Sequence, residues 1–326
     1  MERLKPALPR PSDFDTFWNG VKAGMDALPM KPVITKIREE ADGIEVFSFE
    51  IDAGGGQLGT SDGVKAMGYM AKPRGNGPFP VMMVTYGAGS FQAEIGTVVG
   101  NARRGALCVA LNPHPLPSDQ PESFYQQLRE KELRDYNHIG RDDRAKSYFL
   151  GMFKRCYRTA RFIESNPLWD KKHFVVNGFS QGGAQAFATA YLCRSVTALD
   201  VLCPAMADHA GPLAGRRQCW PDWISGFPAE PTTLLHPDYK PVIQHQEAME
   251  ASRYYDVVNF ASGLKIPVLI GVGMFDYASP PASDQTAFNQ LAGPKQIILE
   301  PDTGHGCDQS YIDAENIFLA RELGKK

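Results

Sequence analysis

The chain has 326 residues, 43% hydrophobic and 22% charged, which is ordinary for a soluble globular protein and enough for one large core. A net charge of −3 gives no electrostatic case for nucleic acid or an anionic membrane as partner, and no apolar run approaches the length of a membrane span. Six cysteines show no CxxC spacing, so the sequence points to no metal site and no cofactor.

Residues 1–20 are proline-rich and polar, with Arg3, Lys5 and Arg10, and lack the apolar core of a signal peptide. The chain is therefore expected to be cytosolic or already processed. Residues 10–30 are expected to form an amphipathic helix opening at Ser12 or Asp13, with Phe14, Phe17, Trp18 and Val21 at helical spacing. Residues 36–52 and 64–72 alternate apolar and polar, as antiparallel edge strands would, around the turn Gly54-Gly55-Gly56. The continuous apolar runs 80–85 and 106–111 mark strands buried on both faces, and 173–177, 198–203, 267–272 and 296–299 complete the set. Helical patterns fall between them at 93–103, 146–165, 181–194 and 283–291, with a final one from Tyr311. Alternation of buried strands and helices predicts a mostly parallel sheet covered on both faces, a single α/β domain with an N-terminal helical extension.

Two segments break the rhythm. Residues 112–145 begin proline-rich and continue densely charged, and residues 204–262 hold Trp220, Trp223, several prolines and His209, His236 and His245. Both follow strands, so both are expected to wall the crevice at the carboxyl ends of the sheet. Cys108, Cys156, Cys193 and Cys203 lie in apolar segments and suit core packing; Cys219 and Cys307 lie in expected loops, Cys307 two residues beyond His305.

The chemistry concentrates at Gly178-Phe179-Ser180-Gln181-Gly182-Gly183. An apolar strand precedes it and a small-residue helix follows, so a serine stands at a sharp strand-to-helix turn, the arrangement of a nucleophile elbow. Such a serine needs a base, an acid and an oxyanion hole. Asp276 stands on the turn past the seventh expected strand, and His305, flanked by glycines, on the loop past the last one. The chain order Ser180, Asp276, His305 is that of α/β-hydrolases. Asp208, one strand earlier, is the rival acid. The oxyanion donors are expected to be the N–H of Gln181 and that of Tyr86 or Gly87, in the glycine-rich loop after residues 80–85. Trp220, Trp223 and Tyr277 are candidates to stack on a sugar ring, and Asp208 and His209 to line the pocket. The remaining histidines show no metal-binding spacing and suit surface or packing roles.

Several stretches resemble the acetyl xylan esterase and cephalosporin-C deacetylase family, carbohydrate esterase family 7. They are residues 11–18, the Tyr86-Gly87-Ala88 region, the Ser180 motif with its glutamine, Tyr254-Tyr255-Asp256-Val257-Val258-Asn259, the acid loop 273–281 and Gly304-His305. The resemblance implies an α/β-hydrolase fold and a Ser-His-Asp esterase that removes acetyl groups from small acetylated carbohydrates, usually as a homo-oligomeric ring. One place departs: where the family carries Arg-Gly-Gln, this chain has Asn112-Pro113-His114-Pro115-Leu116-Pro117. A serine peptidase of the same fold, or a sugar-binding relative with a vestigial triad, are the alternatives.

Overall fold

A computed structural model describes residues 3–55, 64–224 and 244–325. Nine strands form one sheet among them, in the order β1-β2-β3-β5-β4-β6-β7-β8-β9. Strands β1 (Val33–Glu39), β2 (Ile44–Gly55) and β3 (Val64–Pro73) are antiparallel to their neighbours. From β5 (Leu107–Leu111) onward the sheet is parallel, through β4 (Phe79–Thr85), β6 (Trp169–Phe179), β7 (Ala198–Leu202), β8 (Val268–Gly273) and β9 (Lys295–Glu300). This is the α/β-hydrolase architecture the alternation of elements predicts.

Sequence periodicity alone merges the first two strands. Alternation runs through residues 36–52, but Gly43 at φ +82° lets the chain reverse at residues 40–43, where the Glu40 and Gly43 amides close the turn. The strand preceding Asp276 is therefore the eighth, not the seventh.

Each face of the sheet carries helices. On one lie α2 (Ile95–Arg103) and α9 (Gln309–Glu322), whose Val98, Val99, Ala102, Phe318 and Leu319 join Val84, Cys108 and Val175 in one cluster. On the other lie α4 (Tyr148–Ser165) and α5 (Gln181–Leu192), and over α4 sits α1 (Phe14–Asp26). Fourteen of the eighteen α4 residues are buried, because the sheet takes one side and α1 and α5 take others. Asp13 precedes α1 as expected but does not cap it; its carboxylate accepts from Arg144 at 2.7 Å instead.

The charged segment 112–145 holds the helix α3 (Glu122–Glu130) and a single 3₁₀ turn at Tyr136–His138. The helices α6 (Gln246–Ser252) and α7 (Val257–Ala261) lie in 204–262, and α8 (Pro281–Gln290) follows β8. His236 and the 56 end of the early glycine turn lie outside the described residues.

Candidate active site

The sheet delivers four loops to one rim, because parallel strands present their carboxyl ends together. Strand β6 ends at Phe179, and Ser180 follows at φ +57°, ψ −122°, a conformation that costs an L-residue energy and persists only where its surroundings hold it. Here the Ser180 N–H donates to Leu202 O at 2.9 Å and its carbonyl accepts from Ala205 N at 3.0 Å, tying the turn to the end of β7. Close approach demands the glycines on either side. A Cβ on Gly178 would stand 2.2 Å from Gly182 O, and one on Gly182 would stand 2.5 Å from Thr85 O and 2.8 Å from Tyr86 N.

Ser180 Oγ lies 2.8 Å from His305 Nε2, and His305 Nδ1 lies 2.6 Å from Asp276 Oδ2. With Asp276 ionised, Nδ1 carries the proton and Nε2 is left as the acceptor facing the serine. The Asp276 side chain is fully buried, and its other oxygen accepts from the amides of Ala278 at 2.8 Å and Ser279 at 2.9 Å. The His305 side chain is 30% exposed. Burial thus runs from Asp276 outward to His305, fixing the imidazole from behind while leaving it part-exposed to solvent.

A second acid lies behind the first. Asp284 is fully buried and accepts from the Ser279 hydroxyl at 2.9 Å, while its Oδ2 has no partner among the described residues. Burial pushes its carboxyl well above the usual range, Ser279 draws it back, and the charge of Asp276 pushes it up again. Burial thus favours the neutral form of Asp284. Cys203, at the end of β7, offers a sulfur within 4.8 Å of the nearest ligand atoms of Asp276 and His305. Burial raises its thiol, so it stays protonated beside them.

The loop after β4 is held against the elbow from several directions. The Thr85 hydroxyl donates to Gly182 O at 2.7 Å, Gln185 Nε2 donates to Tyr86 O at 3.2 Å, and the Tyr86 hydroxyl accepts from Glu94 N at 3.1 Å. A Cβ on Gly87 would come within 3.3 Å of Ser180 Cβ. Gln181 opens α5, so its N–H is among those a helix cannot satisfy internally. Its side chain is fully buried, with Oε1 accepting from the Tyr136 hydroxyl at 2.6 Å.

Other residues named from sequence fall elsewhere. Asp208 is 1% exposed and grips Arg216 through two bonds of 2.6 and 3.0 Å; burial pushes it up to about 6 against the pull of that arginine. Among the described residues it pairs with no histidine, and it is Asp276 that meets His305. His209 is fully buried, donates from Nδ1 to Ser252 O at 3.3 Å, and is lowered to about 4 by burial. Trp223 is fully buried against Phe149, His209 and Tyr255 and donates to Asn137 O, so no face is left for a sugar. These three are core residues: the segment after β7 folds inward, a turn its composition does not reveal. Trp220 is half-buried. Tyr277 is 39% exposed, as are Phe275 at 56% and Phe179 at 37%, whose ring centroid lies 4.8 Å from that of His305.

Sequence reasoning missed Tyr136, Gln185 and Ser279. The spacing Asp276-x-Ala278-Ser279 is an Asx-turn signature that could have flagged the last. Tyr136 stands 45 residues ahead of its partner in a charged stretch and gives no signal.

The model of the acetyl xylan esterase (AXE1) family matches residues 1–323 of the chain. The acetyl esterase Axe7A of Xylanibacter ruminicola is 29% identical over 99% of this chain and 70% of its own length. Two solved structures share the fold over 98% of this chain. The acetyl xylan esterase from Paenibacillus sp. R4 has a TM-score of 0.77 at 22% identity, with 98% of its chain covered. Acetyl xylan esterase 1 from Thermoanaerobacterium sp. JW/SL YS485 has 0.75 at 21%, with 97% covered.

Proposed function

The chain belongs to the acetyl xylan esterase family, and from that premise we propose that it hydrolyses acetyl esters of carbohydrates through an acyl-enzyme on Ser180. The observation that carries this reading is the line of two hydrogen bonds from Ser180 Oγ through His305 to the buried carboxylate of Asp276. In the first half-reaction Ser180 Oγ attacks the ester carbonyl while His305 Nε2 takes its proton. Asp276 keeps the proton on Nδ1 and stabilises the imidazolium that forms. The N–H of Gln181 and that of Tyr86 or Gly87 receive the developing oxyanion. Collapse of the tetrahedral adduct breaks the bond to the alcohol oxygen, which takes the proton from His305. Water then attacks the acyl carbonyl with His305 as base, and the acid leaves with Ser180 restored.

The alcohol faces the exposed rim of Phe179, Phe275 and Tyr277, where aromatic faces suit the apolar side of a pyranose. Of the three stacking candidates named from sequence, Trp220, Trp223 and Tyr277, this reading keeps Tyr277 and adds Phe179 and Phe275. Replacement of Ser180 by alanine is expected to lower hydrolysis of p-nitrophenyl acetate and acetylated xylo-oligosaccharides at least ~1000-fold with the circular dichroism spectrum unchanged. Retained turnover in that variant ends the reading. Parallel assay of p-nitroanilides separates an esterase from a peptidase.

A further inference from the structure

We propose that Tyr136 and Trp220 form the wall that limits the acyl group to acetyl; the proposal rests on the ester-hydrolysis reading and names the acyl specificity of that same site. Each residue is tied to a different side of the nucleophile, Tyr136 through its hydroxyl and Trp220 through its main chain. The Tyr136 hydroxyl donates to Oε1 of Gln181, the residue after Ser180, at 2.6 Å. The Trp220 backbone N–H donates to the carbonyl of Ala278, two residues past Asp276, at 2.7 Å. The two rings meet with centroids 6.4 Å apart. Together they bridge the nucleophile elbow and the acid turn.

The wall is backed so that it cannot swing away. Tyr136 is 8% exposed, stands edge-on to the His114 ring at 4.7 Å and packs on Tyr148 at 5.2 Å. Trp220 meets Phe149 edge-on at 5.9 Å. Rings packed this closely move only at the expense of the core behind them.

An ester bound at Ser180 with its carbonyl oxygen toward the Gln181 amide has two remaining arms, the acyl chain and the alcohol. One side is open, where His305 is 30% exposed and Phe179, Phe275 and Tyr277 stand in solvent. That side has room for a carbohydrate. The acyl chain is left to face Tyr136 and Trp220, where each added methylene must displace an aromatic ring. A pocket that excludes one methylene discriminates by about 10- to 200-fold.

The test is the ratio of kcat/KM for p-nitrophenyl butyrate to that for the acetate. Wild type is expected to favour acetate at least ~10-fold, and Trp220→Ala and Tyr136→Ala to raise the ratio at least ~10-fold. Tyr136→Phe keeps the ring without its hydroxyl and is expected to keep the wild-type ratio, which separates the wall from the hydrogen bond. If an alanine variant loses its cooperative melt, Trp220→Leu and Tyr136→Leu carry the same comparison. Folded variants with the wild-type ratio, or a wild type that takes butyrate as readily as acetate, overturn the wall while leaving the esterase intact. A wild type inert toward every chain length overturns both.

Discussion

Ser180 sits at a positive φ with its hydroxyl 2.8 Å from His305, and the strain of that residue is held by backbone hydrogen bonds to Leu202 and Ala205 at and just past the end of β7. Asp276→Asn removes the charge that keeps the proton on Nδ1, so the imidazole presents a donor to the serine instead of an acceptor. We expect kcat to fall about 10³- to 10⁴-fold with KM little changed, measured on p-nitrophenyl acetate; a loss under tenfold contradicts the assigned role. His114 makes a prediction about stability. It is buried with Nδ1 2.8 Å from the Tyr148 hydroxyl, and burial, aided by the Arg155 charge, lowers it from 6.5 to about 3. Between those values the unfolded chain binds a proton that the folded one refuses, so this group lowers stability as pH falls. His114→Gln removes that penalty. The stability of wild type minus that of the variant is expected to shrink by roughly 2–3 kcal/mol from pH 7 to pH 4.5 in urea titrations. A gap that does not change with pH contradicts the buried neutral ring.

Among elements, the strand β6, turn and helix α5 form the unit on which the site depends, and β4 lies so close that Gly182 has no room for a methyl group. Gly182→Ala pushes on Thr85 O and Tyr86 N together. It is expected to cost about 1–3 kcal/mol and to depress ester hydrolysis beyond what the lower Tm explains, because the loop after β4, the proposed source of an oxyanion donor, moves with it. Wild-type melting and turnover would show that the contact is slack. This unit was legible in the sequence because buried parallel strands are continuous apolar runs and the residues after them carry distinctive chemistry. Ser180, Asp276 and His305 could be found that way, each just past a strand. The split between β1 and β2 was hidden because a short hairpin on an exposed edge interrupts no apolar run. Asp208, His209 and Trp223 were misjudged for a different reason. Polar and aromatic residues after a strand mark a pocket wall or a satisfied core equally well, and only the partners Arg216, Ser252 and Asn137 decide between them.

Across the whole molecule, α1 is seated in the core rather than appended to it. Trp18 is 1% exposed, donates from Nε1 to Tyr254 O at 3.0 Å and meets Phe153, Tyr255 and Phe260 within 6.0 Å. We infer that helix and sheet unfold as one unit. Trp18→Ala is expected to cost about 3–5 kcal/mol and to lower the main calorimetric transition; a separate early transition would show the helix to be an independent element. The same integration lets strand ends far apart in sequence, at 180, 276 and 305, build one site. The account stands most directly on covalent labelling of the intact protein by a fluorophosphonate, read by mass spectrometry of the whole chain and its peptides. One adduct per chain on Ser180, lost in Ser180→Ala, is the predicted result. Full ester hydrolysis with no adduct, or with the adduct on another residue, would contradict it.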